Sequence, residues 1–416
     1  MSDNIGRAER AAPGCVVGGV QLPRPFRIRR LGHFGVNVSD PAASLEFYDR
    51  LLGFEVADEL DFGPRLPEGE RDKHGPTVGS FTRHGTDHHS FVIFPRGAMH
   101  AVNPHYADYP ELTVNQITWQ VGTLREVVDG YEWFLRNGLK ILRAGRDLPG
   151  SNWHFYPPDP SGHINELYYG IEQIGWAGYS KPGPMHRIRY QQPPGLPHRS
   201  EFAEVNEAIA QGDDLNAGWR RKAPWPETFD VGGVLLARPF KIGKVGPVRL
   251  FVDDVAEALR FYQDTLGLAV TEQIIYEGHR CVFLRANTEH HSLALYPKAL
   301  RAVLGLPAGS TLFSFGLQLG SYQQLRDAIS FLAAAGVRFR RLPAVLSPGM
   351  GHHVYAVDPD GNGMQLYWEM EQIGWEGKPR PAAKRRQLEE DHTLWPQTLE
   401  LQSDSFTGEV FLGPIN

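Results

Sequence analysis

Residues 17–40, VGGVQLPRPFRIRRLGHFGVNVSD, return with the same pattern at residues 231–254, VGGVLLARPFKIGKVGPVRLFVDD. A second pair of segments, IEQIGWAG at 171–178 and MEQIGWEG at 370–377, follows each copy at a similar distance. Such self-similarity is typical of a duplicated structural unit. The chain of 416 residues is also too long for one ordinary hydrophobic core. The sequence therefore predicts two homologous domains at 17–180 and 231–378, a Pro- and Arg-rich linker at 181–230, and a tail at 379–416.

A smaller unit repeats inside each domain. HFGVNV at 33–38 alternates like a half-buried strand. Asp40 and Pro41 then favour the start of a helix, which Gly53 ends, and three short apolar strands follow. The second unit begins at QITWQV, has its helix at 124–137, and units three and four begin at VRLFV and FGLQL. We therefore predict an α+β fold of four βαβββ modules, which pair two by two into two open barrels.

Composition excludes several classes of protein. The chain is 41% hydrophobic and 22% charged, which indicates globular structure. A net charge of −6 without a basic stripe gives no support for nucleic-acid binding. The N-terminal residues lack the apolar segment of a secretion signal, and no apolar run is long enough to span a membrane. Only two cysteines, Cys15 and Cys281, are present, which fits a reducing compartment. We expect a soluble, cytoplasmic protein.

Three segments of the first domain carry a family resemblance. They are LGHFGVNVSDPAASLEFYDRLLGFEV, TDHHSFVI and FYPPDPSGHINELYYG, at residues 31–56, 86–93 and 155–170. This pattern resembles the vicinal oxygen chelate superfamily, and most closely its type I extradiol ring-cleaving dioxygenases. The resemblance covers both repeats but not the linker or the tail. It implies a barrel around a non-haem Fe(II), or sometimes Mn(II), held by two histidines and one carboxylate, with open positions for a catechol-like substrate and O2.

The resemblance places the metal ligands on three strands of the first domain. His33, which opens the first strand, matches the family's first histidine, and Glu166 in the last strand matches its carboxylate. Gln116 stands where the family has its second histidine. This departure leaves three alternatives: Gln116 is the third ligand, His89 or His154 completes the site instead, or the metal site is weakened or lost.

The paired histidines of TDHHSFVI match a catalytic position. Because successive side chains of a strand point to opposite faces, only one of His88 and His89 can enter the barrel. The family pattern assigns that place to His89 as a proton carrier and leaves His88 a structural role. The resemblance also implies that the Tyr156 hydroxyl bonds a substrate oxygen and that His154, on the same strand face, contributes to substrate binding. A further histidine of the family is replaced here, near Ser151.

The second domain has lost the ligand residues. Pro247, Ser314 and Gln365 stand at the positions of His33, Gln116 and Glu166, although His291 and Tyr355 persist. We expect no metal there, and a structural role in covering the first barrel or in forming a homo-oligomer. The first domain also has a long loop at 63–76 that the second lacks, which is a candidate lid or specificity element.

The leading hypothesis is therefore a metal-dependent, extradiol-type dioxygenase that cleaves a catechol-like or related hydroxylated aromatic ring with O2. His33, Gln116 and Glu166 would hold the metal, and His89 and Tyr156 would act in catalysis. One alternative is a glyoxalase-like lyase or isomerase that polarises a carbonyl without redox chemistry. Another is a protein of the same fold that binds a small molecule without turnover.

Overall fold

The computed structural model describes residues 14–147, 152–174, 179–186, 189–218, 225–374, 376–386 and 388–399. Within these residues each repeat begins with a short hairpin and then forms one eight-stranded mixed sheet. The strands of the first repeat are β1 (Cys15–Val17), β2 (Val20–Leu22), β3 (Ile28–Val38), β4 (Glu55–Asp61), β5 (Val78–Arg83), β6 (Phe91–Pro95), β7 (Val114–Val121), β8 (Ala144–Gly145), β9 (Trp153–Phe155) and β10 (Asn165–Tyr169). Those of the second are β11 (Phe229–Val231), β12 (Val234–Leu236), β13 (Ile242–Val252), β14 (Ala269–Tyr276), β15 (His279–Arg285), β16 (Leu293–Pro297), β17 (Leu312–Leu319), β18 (Arg338–Arg340), β19 (His353–Val357) and β20 (Gly363–Tyr367).

The two large sheets have the same topology. The strand order is β4-β5-β6-β3-β7-β10-β9-β8 in the first and β14-β15-β16-β13-β17-β20-β19-β18 in the second. The central strands β3 and β7 pair antiparallel, whereas β3 with β6 and β7 with β10 pair parallel. Each half-sheet is thus one βαβββ module, and the central antiparallel pair joins two modules into a curled sheet. The predicted α+β fold of paired modules is confirmed. We call the two sheets the first and second barrels.

The helices are short, and the first begins where the sequence predicts a cap. They are α1 (Pro41–Leu45), α2 (Arg96–Val102), α3 (His105–Asp108), α4 (Leu124–Arg136), α5 (Glu201–Ala210), α6 (Val255–Leu259), α7 (Ala299–Val303) and α8 (Tyr322–Ala334). The Asp40 carboxylate accepts a hydrogen bond of 3.0 Å from the Ala43 amide, and α1 continues as a π-helical turn over Glu46–Leu51. Gly53 then adopts a φ of 84°, which suits glycine and ends the helix. None of the described helices is long and apolar enough to cross a bilayer.

One hydrophobic core spans both domains, because side chains from the two central strand pairs pack on each other. The rings of Phe34 on β3 and Phe315 on β17 pack with centroids 5.2 Å apart. Two buried tyrosines cross the interface in symmetric fashion: Tyr48 donates to Asp358 at 2.8 Å, and Tyr262 donates to Asp159 at 3.0 Å. The domains are therefore joined by apolar packing and by a matched pair of buried hydrogen bonds.

Segments outside the two repeats dock on them. In the segment expected to be a linker, residues 201–210 form α5, whose Glu204 makes a bidentate pair with Arg146 at 3.0 and 3.1 Å. In the tail, Trp395 is buried and its ring lies 4.8 Å from that of His352. The described parts of the linker and the tail thus cover the barrels.

Candidate metal and active site

The first barrel encloses a cavity of about 320 Å³. All six residues that the sequence singled out line this cavity: His33, His89, Gln116, His154, Tyr156 and Glu166. They come from β3, β7, β9 and β10 and from the residues that flank β6 and β9, so only the folded sheet brings them together. The strand pairings thus bring together residues that are up to 133 positions apart in the sequence.

His33 and Glu166 are in direct contact. The Nε2 atom of His33 lies 3.1 Å from Oε2 of Glu166, and the two side chains are 1% and 0% exposed. Two donors that are each about 2.1 Å from one metal at right angles would be about 3 Å apart, so this spacing suits neighbouring ligands. The Thr118 hydroxyl fixes the position of His33, because it accepts from the His33 amide at 2.6 Å and donates to its carbonyl at 2.8 Å.

His33 and Gln116 hold equivalent positions on the two antiparallel central strands. Gln116 on β7 lies opposite Gly35 on β3, and Thr118, two residues after Gln116, bonds His33, which is two residues before Gly35. The Gln116 side chain is 8% exposed, lines the cavity, and has no hydrogen-bond partner among the described residues. Its amide oxygen is therefore available to a ligand in the cavity.

The same symmetry gives Glu166 an apolar counterpart. Val92 on β6 pairs with Gly35, just as Glu166 on β10 pairs with Thr118. An apolar residue therefore stands at the position equivalent to the carboxylate. In the described part of the chain, no group of three His, Cys, Asp or Glu side chains could hold a metal ion. Gln116 as the third donor beside His33 and Glu166 stays a prediction, and His89 and His154, which line the same cavity, stay the alternatives.

Glu166 is held in place by a residue that the sequence did not single out. Asn152 donates to Oε1 of Glu166 at 2.8 Å, and its own oxygen lies 2.8 Å from Nδ1 of His154. Burial raises the pKa of Glu166, but the attraction and hydrogen bond of His33 outweigh it and lower the pKa to about 2. The carboxylate is therefore ionised, as a metal ligand requires. Ser151, where the family has another histidine, lies outside the described residues.

The paired histidines precede their strand. β6 begins at Phe91, so the alternation rule that separated His88 from His89 does not apply to them as strand residues. Both are buried, and their Nδ1 atoms lie 3.0 Å apart, so one ring donates to the other. His89 alone lines the cavity, with its ring centroid 4.3 Å from that of His33. On the far side, Nε2 of His88 lies 3.6 Å from Asp58. Nε2 of His88 makes no hydrogen bond among the described residues, so the hydrogen-bonded contact ends at the pair itself.

Burial gives these groups unusual acidities. It is the largest cause that lowers the pKa of His89 well below its ordinary value, and the neighbouring His33 and His88 lower it further. Burial also lowers the pKa of His154, to about 3, although Glu166 opposes it. Both rings are therefore neutral near pH 7, and a neutral imidazole can accept a proton from a substrate hydroxyl.

Two arginines that the sequence did not single out individually also line the cavity, Arg65 and Arg143. The guanidinium of Arg143 lies 4.2 Å above the ring of Tyr156, and it pairs with Asp147. Arg65 comes from the long loop at 63–76 and lines the same cavity. Burial lowers the pKa of Arg65, and the nearby Arg143 lowers it further. This loop therefore places a positive charge beside the site, although its role as a lid stays a prediction.

Comparisons with known proteins agree with this architecture. Residues 30–167 and 244–366 match the Glyoxalase/Bleomycin resistance protein/Dioxygenase superfamily, and the chain belongs to that family. No curated protein matches the sequence.

Solved structures share the fold at low sequence identity. The 2,3-dioxygenase LapB from Pseudomonas sp. KL28 is 16% identical, with a TM-score of 0.53 over 85% of this chain and 96% of its own. Homoprotocatechuate 2,3-dioxygenase from Brevibacterium fuscum, in complex with 3,4-dihydroxyphenylacetate, is 15% identical, with a TM-score of 0.52 over 86% and 85%. The Mn(II)-bound glyoxalase from Novosphingobium aromaticivorans is also 15% identical, with a TM-score of 0.51 over 84% and 85%. At these identities the likeness establishes the fold alone.

Proposed function

We propose that this protein is a divalent-metal-dependent, extradiol-type dioxygenase that opens a catechol-like aromatic ring with O2 in the first barrel. The observation that carries the proposal is the set of three donors, His33, Gln116 and Glu166, in one buried cavity beside the neutral imidazole of His89. Fe(II) is the proposed metal, with Mn(II) as the other candidate. The family supports this class of chemistry, and the cavity supports the choice of residues.

The donor set fits a metal that must keep open positions. His33 and Glu166 are spaced as neighbouring ligands, and the Gln116 amide has no other described partner. Three protein donors on one face leave room for two substrate oxygens and O2, and the bound metal would supply the redox chemistry that joins them. Gln116 replaces a neutral imidazole by a neutral amide, so the charge of the donor set is the same as in a set of two histidines and one carboxylate.

The side chains around the donors would move protons and position the substrate. His89, neutral and within the cavity, would accept the proton of a substrate hydroxyl and return it when the ring opens. Its contact with His88 fixes the ring. Tyr156 stays protonated because burial raises its pKa, so its hydroxyl can donate to a substrate oxygen. The apolar wall, which includes Phe81 and Phe94, would exclude water from the ring.

A non-redox lyase or isomerase of the glyoxalase type is the second candidate. The glutamine donor favours it, since an amide oxygen suits a metal that only polarises a carbonyl. Against it stands Val92, which leaves three protein donors rather than four and thus favours a site that binds O2 as well as substrate. The third candidate, a binding protein without turnover, predicts a small molecule held in this cavity in the absence of a metal.

Metal content and oxygen uptake discriminate between these candidates. Protein purified without oxygen should carry one divalent ion per chain, which His33→Ala and Gln116→Ala should lose, while Gln365→Ala in the second barrel keeps it. Catechol panels read with an oxygen electrode then separate redox from non-redox turnover. A wild-type chain without bound metal after reconstitution would exclude both enzyme hypotheses. Metal binding without oxygen uptake on any diol would leave the lyase.

A further inference from the structure

A positive charge without a carboxylate partner stands at the opening of the first barrel's cavity. Arg65 lines this cavity and its side chain is also exposed, so it lies where the cavity meets solvent. Its guanidinium carbon lies over the ring of Phe62, 5.4 Å from the centroid. Among the described residues Arg65 makes no hydrogen bond and no ion pair. Its charge is therefore available to an anion in the cavity.

A second arginine connects this opening to the donor set. Arg143 lines the same cavity, and its side chain is 52% exposed. Its guanidinium carbon lies 4.2 Å from the centroid of the Tyr156 ring. Burial is the largest cause that raises the pKa of Tyr156; the nearby Arg143 opposes it, and the nearby Glu166 adds to it. Arg143 and Glu166 thus lie on either side of one aromatic side chain.

The negative charges of the cavity already have partners. Two carboxylates line it, those of Asp147 and Glu166. Asp147 pairs with Arg143, and Glu166 is a proposed ligand of the metal. Burial lowers the pKa of Arg65, and the like charges of Arg143 and Arg189 lower it further, so these arginines repel one another. A carboxylate placed between Arg65 and Arg143 would offset this repulsion.

The interior of the cavity suits a single aromatic ring. Its volume of about 320 Å³ is at the lower end of the range of roughly 300–1,000 Å³ that is typical of small-ligand pockets. Its wall includes the apolar side chains of Phe62, Phe81, Phe94 and Leu142. A ring with a short polar side chain would fill this space and place the polar group at the opening.

From these observations we infer that the substrate of the first barrel is a single-ring catechol whose side chain carries a carboxylate. The ring oxygens face the proposed metal donors, and the carboxylate accepts hydrogen bonds from Arg65 and Arg143 at the opening. Arg65 is then a specificity-determining residue, supplied by the loop at 63–76 that the second domain lacks. The orientation of the ring rests on the proposed function, whereas the preference for a negative charge rests on the arginines alone.

Calorimetric titration of the full chain, with Mn(II) present and oxygen excluded, tests this preference. The probes are dihydrocaffeate, a catechol with a propionate side chain, and dihydrocaffeamide, in which a neutral amide replaces the carboxylate. One exposed ion pair contributes up to about fivefold in affinity. With two arginines, we expect the acid to bind about tenfold more tightly than the amide. The preference should fall at high ionic strength, because both arginines are exposed.

Arg65→Met should lower the ratio of the two affinities to about threefold, because it removes one of the two charges and keeps the length of the side chain. The affinity for the amide should stay that of the wild type. Lys73→Met is the matched control: it removes a charge from the same loop, but Lys73 pairs with Glu70 and does not line the cavity. This variant should keep the wild-type ratio.

Equal affinities of the wild type for the acid and the amide, or no binding of either, would overturn the inference. An unchanged ratio in Arg65→Met would overturn the role of Arg65. Oxygen uptake is measured separately with both compounds. If neither is consumed while the preference for the acid persists, the dioxygenase proposal fails and the carboxylate site is supported.

Discussion

The Nε2 atom of His33 and the Oε2 atom of Glu166 lie 3.1 Å apart, although 133 residues separate them in the sequence. Both side chains are buried. Thr118 bonds the backbone of His33, and Asn152 bonds the carboxylate of Glu166. This contact is the part of the cavity that is spaced as two ligands of one metal.

Glu166→Gln should abolish tight metal binding. The variant keeps the shape of the side chain but removes the only charged donor of the set. Loss of an outer partner of a ligand already costs roughly 10- to 100-fold in metal affinity, so loss of the ligand itself should cost more than about 100-fold. Metal content after dialysis, measured by mass spectrometry, reads this out. Retention of one ion per chain would show that Glu166 is not a ligand.

Asn152→Ala should weaken metal binding without abolishing it. The Asn152 amide donates to Glu166 and its oxygen contacts His154, so its removal frees both side chains to rotate. The expected loss in affinity is about 10- to 100-fold. Titration with a competing chelator measures it. Unchanged affinity would mean that the contacts of Asn152 do not orient the ligand.

His89→Gln should slow turnover while metal stays bound. If His89 carries the substrate proton, its loss should reduce oxygen uptake by about 10²- to 10⁴-fold. His291→Gln is the matched control, because His291 stands at the same place in the second barrel and contacts Arg249 rather than a metal ligand. It should leave oxygen uptake unchanged. Equal losses in both variants would indicate a structural role for the paired-histidine motif.

Tyr48→Phe should destabilise the contact between the domains. The Tyr48 hydroxyl is buried and donates to Asp358, whose pKa burial raises. Without it a buried carboxyl loses one donor, at an expected cost of about 1–3 kcal/mol in the free energy of unfolding. Urea unfolding of Tyr48→Phe and of its symmetric counterpart Tyr262→Phe should show losses of similar size. A loss in only one variant would show that the two interface bonds are not equivalent.

The duplication made the fold predictable, since each of two copies repeats the same order of strand, helix and cap. Position in the sequence pattern also brought His33, Gln116 and Glu166 to one cavity. Asn152, Arg143 and Arg65 were not predictable in this way, because their roles depend on loop paths that have no periodic signal. The prediction that strand alternation separates His88 from His89 is wrong in its reason, because the strand begins only at Phe91.

The position of Arg249, at the counterpart of the proposed metal site, also could not be inferred from the sequence alone. Pro247, Ser314 and Gln365 show that ligands are missing, but only the register places Arg249 beside them. Its side chain starts two residues after the lost histidine position and reaches His291 and Tyr355. A sequence comparison that aligns ligand with ligand overlooks a group that enters the same space from another position.

Acid should weaken the protein in part through His352, where the tail docks. Its ring packs on Trp395 and Tyr322, with centroids 4.8 and 5.0 Å apart. Burial, followed by the charge of Arg386, lowers its pKa from 6.5 to about 4. Because the folded pKa lies below the unfolded one, the stabilisation is fully present above pH 6.5 and is lost as the pH falls toward 4.

Over that interval the loss should be at most about 3 kcal/mol. His352→Phe keeps an aromatic ring against Trp395 but cannot take up a proton, so its free energy of unfolding should fall less than that of the wild type between pH 7.5 and 4.5. Urea unfolding at both pH values measures this difference. Besides burial, which is the largest cause, the charge of His352 also lowers the pKa of the adjacent His353, so the variant removes that contribution as well and the difference keeps the same sign. Parallel curves would show that His352 does not couple tail docking to pH.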